Sequence, residues 1–154
     1  TASGSTHVQL DGRVTGASGL TVESRGRNIA DSASESTSGG LLAGGNATVA
    51  IATVNPTIHA VVNDGGNATS ADIQLTGGSS LIRAESIGDA NASAEGLSVA
   101  LGFSAGGSVA IASVTPEVRA TIGNNVVVQG TGSLTVDARH NVGTPAGYGA
   151  DAVA

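Results

Sequence analysis

The sequence predicts an all-β chain folded as a β-solenoid, a right-handed parallel β-helix built from repeats of about sixty residues. The first observation is that the chain copies itself: VAIATVNPTIHAVV at 49–62 returns as VAIASVTPEVRATI at 109–122, identical at seven of fourteen positions. Self-similarity at a fixed period marks a stacked architecture in which one unit cannot bury its apolar face alone. The second is composition. Ala (25), Gly (24), Ser (18) and Thr (15) supply 82 of 154 residues, Phe103 and Tyr148 are the only aromatics, and Met and Trp are absent. The core must therefore be thin, since bulky side chains normally carry most of the burial. The third is that Val, Ile and Thr number 40 and recur with period two, which favours strands. The expected hand follows from the strong bias of parallel crossover connections.

The whole chain, 1–154, reads as one continuous array, with approximate repeats at 16–76 and 77–129 and a partial third at 130–154. A glycine-rich approach leads into a strand-like segment in each: GASGLTVES at 16–24, GGSSLIRAES at 77–86 and GTGSLTVDAR at 130–139. Three coils of about 20 residues are expected per repeat. The first copy holds about seven more residues than the second between its Pro strand and the next Leu strand, and GGNATSA at 65–71 is the expected insertion. The pattern is unfinished at both ends, so the sequence reads as a piece of something longer whose end coils would expose strand edges and self-associate.

In chain order, 47–54 and 108–114 are apolar or small on both faces, the pattern of innermost strands covered on both sides. Val49, Ile51, Val109 and Ile111 are accordingly expected in the core. Asn55-Pro56 and Thr115-Pro116 should end these strands or turn a corner, because Pro cannot donate to a ladder. Residues 57–62 then alternate, Ile58, Ala60 and Val62 inward and Thr57 and His59 outward; 117–122 follow suit with Val118, Ala120 and Ile122 inward and Arg119 outward. Around 81–85 an inward Leu81 would carry Arg83 inward, so a bulge near Leu81 is expected, placing Ile82 and Ala84 inside. A helix competes for the alanine-rich 90–101, but Gly88, Gly96 and Gly102 and the alternation of Ala90, Ala92 and Ala94 with Asn91 and Ser93 favour a strand. Leu134, Val136 and Ala138 face in; Thr135, Asp137 and Arg139 face out. Glycine pairs at 39–40, 44–45, 65–66, 77–78 and 106–107 mark turns or close backbone approach.

Twelve acids stand against six Arg and no Lys, a net charge of −6. This disfavours nucleic acid and anionic membrane surfaces, which demand clustered cations. No apolar run approaches the roughly 20 residues of a membrane span, so no membrane insertion is expected, and no secretory leader is read at Thr1. The absence of Cys removes disulfide frameworks and thiolate zinc sites.

Chemical motifs are sparse. His7, His59 and His140 lack HxxxH-type spacing and read as surface strand positions rather than metal ligands. Asp11-Gly12, Asp64-Gly65-Gly66-Asn67 and Gly88-Asp89-Ala90-Asn91 could offer oxygens to calcium, but turn chemistry accounts for them better. Asn46, Asn67 and Asn91 head glycosylation triplets that chance alone explains in such a composition. No Ser sits in GxSxG. Glu85, Asp89, Glu95 and Asp137 are the carboxylates to inspect for a sugar-hydrolysing pair, with solvated strand faces as the favoured reading. The expectation is a non-enzyme with no catalytic, cofactor-binding or metal site and no cofactor.

The run AGGSVAIASVTPEVRATIGNNVVVQGTGSLTVDA, residues 105–138, resembles the repeats of giant bacterial surface and secreted proteins of the filamentous-haemagglutinin-like adhesin and autotransporter-passenger type. The resemblance implies a structural or adhesive stalk module, extracellular or on the bacterial cell surface. Its partners would be neighbouring repeats of the same chain, further copies through self-association, and a host or matrix surface ligand; it carries over no catalytic residue. Two other readings are weaker. A polysaccharide-acting β-helix enzyme would need clustered Asp, Arg or Lys and aromatic sugar platforms. An ice- or mineral-binding solenoid would need a flat face with a regular Thr or Asp ladder, and between Thr21 and Thr135 that ladder is interrupted by Arg83 or Ile82.

Overall fold

The computed structural model describes residues 1–63, 71–124 and 126–154. It is all-β, and among the described residues there is no helix. The chain travels one path three times. The first pass comprises β1 (Ser5–Asp11), β2 (Val14–Ala17), β3 (Thr21–Gly40) and β4 (Ala43–Val54). The second comprises β5 (Thr57–Asn63), β6 (Ala71–Leu75), β7 (Ser80–Ala100) and β8 (Phe103–Val114). The third comprises β9 (Glu117–Ile122), β10 (Val126–Gln129), β11 (Leu134–His140) and β12 (Ala150–Val153). Every pairing is parallel and joins a strand to its counterpart in the next pass: β1-β5-β9, β2-β6-β10, β4-β8, and β7 between β3 and the pair β11 and β12.

Paired residues thus lie 52 to 60 positions apart, as in Ser5 with Thr57 and Thr57 with Glu117. This corrects the expected coils of about 20 residues, since one pass consumes a whole repeat. The reason lies in β3. A coil of that length needs corners every six or seven residues, yet 21–40 contain no Pro and alternate without a break over 20 residues. At about 3.3 Å per residue such a strand runs straight for roughly 65 Å.

The interior has two compartments that share β3 and β7. The first is branched and aliphatic: Val22, Ile58, Ala60, Val62, Ile73, Ile82 and Ala84 are buried, with Val8, Leu10, Val118, Ile122 and others packed around them. The second is a seam of methyl groups, Ala30, Ala50, Ala52, Val54, Ala90, Ala92 and Ala94, where the far halves of β3 and β7 face β4 and β8. Here the expected core is inverted. Val49, Ile51, Val109 and Ile111 are 57%, 52%, 48% and 47% exposed, whereas Ala50 and Ala52 are 1% exposed. The facing alanines set the gap between sheets, and a close-packed gap sized for methyl against methyl has no room for Ile. Val49, Ile51, Val109 and Ile111 therefore turn outward, and β4 and β8 are covered on one face only.

Elsewhere the alternation holds. Ile58, Ala60 and Val62 are buried, and Leu134, Val136 and Ala138 stand opposite inward-facing Ser80, Ile82 and Ala84. Leu134 and Val136 keep 43% and 45% exposure because the open edge of the sheet leaves them uncovered on one side. Ile82 and Ala84 are inside as expected, but without a bulge: Leu81 pairs in unbroken register with Thr21 and Thr135 and points outward with Arg83. Residues 90–100 continue β7 as strand. Pro56 and Pro116 sit at corners where the ladder is carried by neighbours, Thr115 N to Val54 O and Glu117 N to Pro56 O, each 2.8 Å.

The expected insertion at 65–71 falls, except for Ala71, outside the described residues. Gly78, at φ 84°, makes the expected turn before β7. The pairs 44–45 and 106–107 lie within strands and serve close approach instead: a Cβ on Gly44 would sit 2.9 Å from the Val99 carbonyl oxygen, and one on Gly106 would sit 2.5 Å from Asn46 Oδ1. In the third pass the chain leaves the sheet at Asn141 (φ 51°). The Asn141 side chain accepts from Gly88 N and donates to Gly88 O, both at 2.9 Å, in place of a strand peptide.

Candidate functional site

The densest polar constellation lies on the outward face of β3, β7 and β11. Parallel register with period-two alternation stacks Glu23, Arg83 and Asp137 in one column and Arg25, Glu85 and Arg139 in the next outward column. The six charges form a checkerboard in which every nearest neighbour has opposite sign. Arg25 donates to Glu23 at 2.7 Å and lies 3.5 Å from Glu85; Arg83 lies 3.5 Å from Glu23 and 3.4 Å from Asp137. Arg139 is hydrogen-bonded to Asp137. The Arg25 guanidinium is held above its ordinary pKa, chiefly by its hydrogen bond to Glu23 and by that residue's charge, with Glu85 adding a smaller push. Isolated exposed pairs contribute little, about 0–1 kcal/mol each, but networks fix geometry.

Two of the four inspected carboxylates, Glu85 and Asp137, belong to this checkerboard, and guanidinium groups engage both. Asp89 and Glu95 lie elsewhere. Asn91 Nδ2 donates to Asp31 at 2.9 Å and to Asp89 at 3.3 Å. Together with Asp151, Asp31 and Asn91 line a shallow open groove whose other walls are Ser32, Ala33, Ala92, Ser93 and Val153. Glu95 pairs in register with Glu35, a like-charge column. Residues 88–91, read as a turn, are interior to β7. Asp11-Gly12 does form a turn, with Gly12 at φ 104° and the Asp11 carboxylate accepting from Gln9 Nε2 at 2.8 Å. The Asp64 cluster and Asn67 lie outside the described residues.

Of the histidines, His7 and His59 are neighbours in space, their rings edge-to-face at 5.9 Å, above Arg119 in the same column. His59 Nε2 is 3.3 Å from Glu117, which also binds Arg119 at 2.9 Å. His140 was expected on the surface but pairs with inward Ser86, its ring edge against Gly88. Desolvation pushes its pKa below the ordinary imidazole value, opposed by the Ser86 backbone. Asn46 faces inward and its Nδ2 donates to Ser36 O at 3.1 Å and Leu97 O at 2.8 Å, tying β4 to β3 and β7. Among the described residues no three His, Cys, Asp or Glu side chains come together to hold a metal ion.

Sequence reasoning missed Glu23, Arg25, Arg83 and Arg139 as a set. The signal was present in E-x-R at 23–25, R-x-E at 83–85 and D-x-R at 137–139. It was hidden because matching Leu20 to Leu81 slips the middle copy by one residue. The structure instead sets Ser80 opposite Leu134, with Leu20 N donating to Ser80 Oγ at 3.2 Å. The same register makes Leu81, not Arg83 or Ile82, the residue between Thr21 and Thr135.

No family model matches the chain, and no curated protein and no solved structure is significantly similar to it.

Proposed function

We propose that the chain is a stretch of right-handed parallel β-solenoid that serves as a non-enzymatic structural or adhesive module, extracellular or on a bacterial cell surface. The observation that carries the reading is the register: each of the four strand rows pairs in parallel with its copy one repeat later. Such a row extends without limit as repeats are added, and each new pass covers the edge of the last. Support also comes from the charged face, where carboxylates and guanidinium groups neutralise one another along the stacking direction and so act as side-chain ladders.

The geometry shifts emphasis within this role. One pass of about sixty residues advances the stack by a single strand spacing, about 4.8 Å. A slender spacer would use its residues more sparingly. The wide cross-section suits stiffness and the presentation of a broad face, with neighbouring repeats as the first partners and a surface ligand as the adhesive one.

Two experiments test this. A tandem of eight copies of residues 43–102 should grow in small-angle scattering by about 4.8 Å per copy along one axis with constant cross-section; growth as a string of separate beads refutes the solenoid. Antibody labelling of unbroken source cells should detect the native protein, and signal that appears only after lysis refutes the surface role.

A further inference from the structure

We propose that the outer face of β4 and β8 is a self-association surface onto which the same face of a second copy docks. The face carries Val49, Ile51, Val109 and Ile111, 47–57% exposed, with Phe103 at 69% near its end. Exposed apolar patches of this kind mark interaction sites. The inference stands independently of the stalk reading.

Charge and shape together point to the occupant. The chain carries net −6, yet residues 36–63 and 96–116, which contain β4 and β8, hold no Asp, Glu, Lys or Arg. A partner of opposite charge finds nothing to grip here, whereas a second acidic copy meets no repulsion. Shape agrees. Along β4 the outward residues run from small to large, Ala43, Gly45 and Ala47, then Val49 and Ile51; β8 repeats this from Ala105 and Gly107 to Val109 and Ile111, with Phe103 ahead of them and Ser113 after. A two-fold axis across the strands, in the plane of contact, lays Val49 on Ala47, Ile51 on Gly45, Val109 on Gly107, Ile111 on Ala105 and Phe103 on Ser113. This is the self-complementarity that a two-fold contact requires.

The open sheet edges are the competing route, and the charge pattern works against it. In continued register, β3 of a second copy added to β11 and β12 would set Glu23 beside Asp137, Arg25 beside Arg139 and Asp31 beside Asp151. Like charges in direct register destabilise a sheet. Two twelve-residue strands present a face roughly 40 Å by 10 Å, below the ~800 Å² per partner of a standard interface, so the dimer should be reversible.

Sedimentation velocity on the full 154-residue chain across a concentration series at physiological salt provides the test. The expected result is a monomer–dimer equilibrium ending at twice 14.7 kDa. Ile51→Lys with Ile111→Lys should raise the midpoint concentration on the order of tenfold or more with an unchanged strand spectrum. The milder Val49→Thr with Val109→Thr should act in the same direction if the lysines perturb folding. A chain that stays monomeric at millimolar concentration overturns the proposal. So does association that Asp137→Arg strengthens and the face variants leave untouched, which would locate the contact at the edge. Flotation with phosphatidylcholine vesicles by a chain monomeric in solution overturns it as well, because the face would then be a lipid contact.

Discussion

Two isoleucines of the same repeat should respond very differently to truncation. Ile58 is fully buried, its end methyl lying against Gly26, while Ile51 is 52% exposed on the outer face of β4. Ile→Ala removes three carbons, about 0.8 kcal/mol each when buried, or ~2.4 kcal/mol in all. At Ile58 the full amount is lost and a cavity term is added, for a total of about 3–4 kcal/mol. At Ile51 roughly half is lost and water fills the space, so the cost is ~1 kcal/mol. The converse change sharpens the test. Ala50, 1% exposed, faces the methyl seam formed with Ala90, Ala92 and Ala94, and Ala50→Leu forces three carbons into it at a cost of about 1–3 kcal/mol. Urea unfolding followed by circular dichroism, compared at constant slope, measures all three. Equal costs for Ile51→Ala and Ile58→Ala, or a neutral Ala50→Leu, would mean that β4 presents its other face to the core and would refute the packing.

Arg83→Met strands Glu23 and Asp137 without their shared cation and should destabilise by about 1 kcal/mol at low salt, with most of the loss vanishing at 1 M NaCl, where the Debye length is about 3 Å; a salt-independent loss would mean the checkerboard contributes through packing alone. His140 has a folded pKa below its unfolded value, so its contribution to stability is complete above about pH 6.5 and is lost as pH falls from there through the folded pKa. His140→Gln should therefore lose less stability than wild type between pH 7 and pH 5.5, and parallel curves would rule out this assignment. Asn46→Ala removes the amide that ties β4 to the Ser36 and Leu97 carbonyls and should cost about 1–2 kcal/mol, visible as faster hydrogen exchange confined to 36–48 and 96–108.

Strand character, parallel repetition and the alternation within 57–62 were legible in the sequence, because each depends on local propensity or on a periodicity that any single copy displays. The sequence by itself also determined the corner prolines, since a missing N–H limits Pro wherever it falls. Only the tertiary structure decided which face of β4 and β8 turns inward. Val49-Ala50-Ile51-Ala52 alternates equally well either way up, and the choice belongs to the width of the gap, set by alanines some forty residues away in β7. The register of the middle copy was equally out of reach, for Ser80-Leu81 invites a match of leucine with leucine, and a slip of one residue exchanges every inward and outward side chain. The charged checkerboard disappears under that slip. Six side chains scattered over 117 positions become neighbours only when three passes of the chain lie in true register, because adjacency across a parallel sheet is fixed by hydrogen-bond pairing between distant segments, which a single strand's pattern does not record.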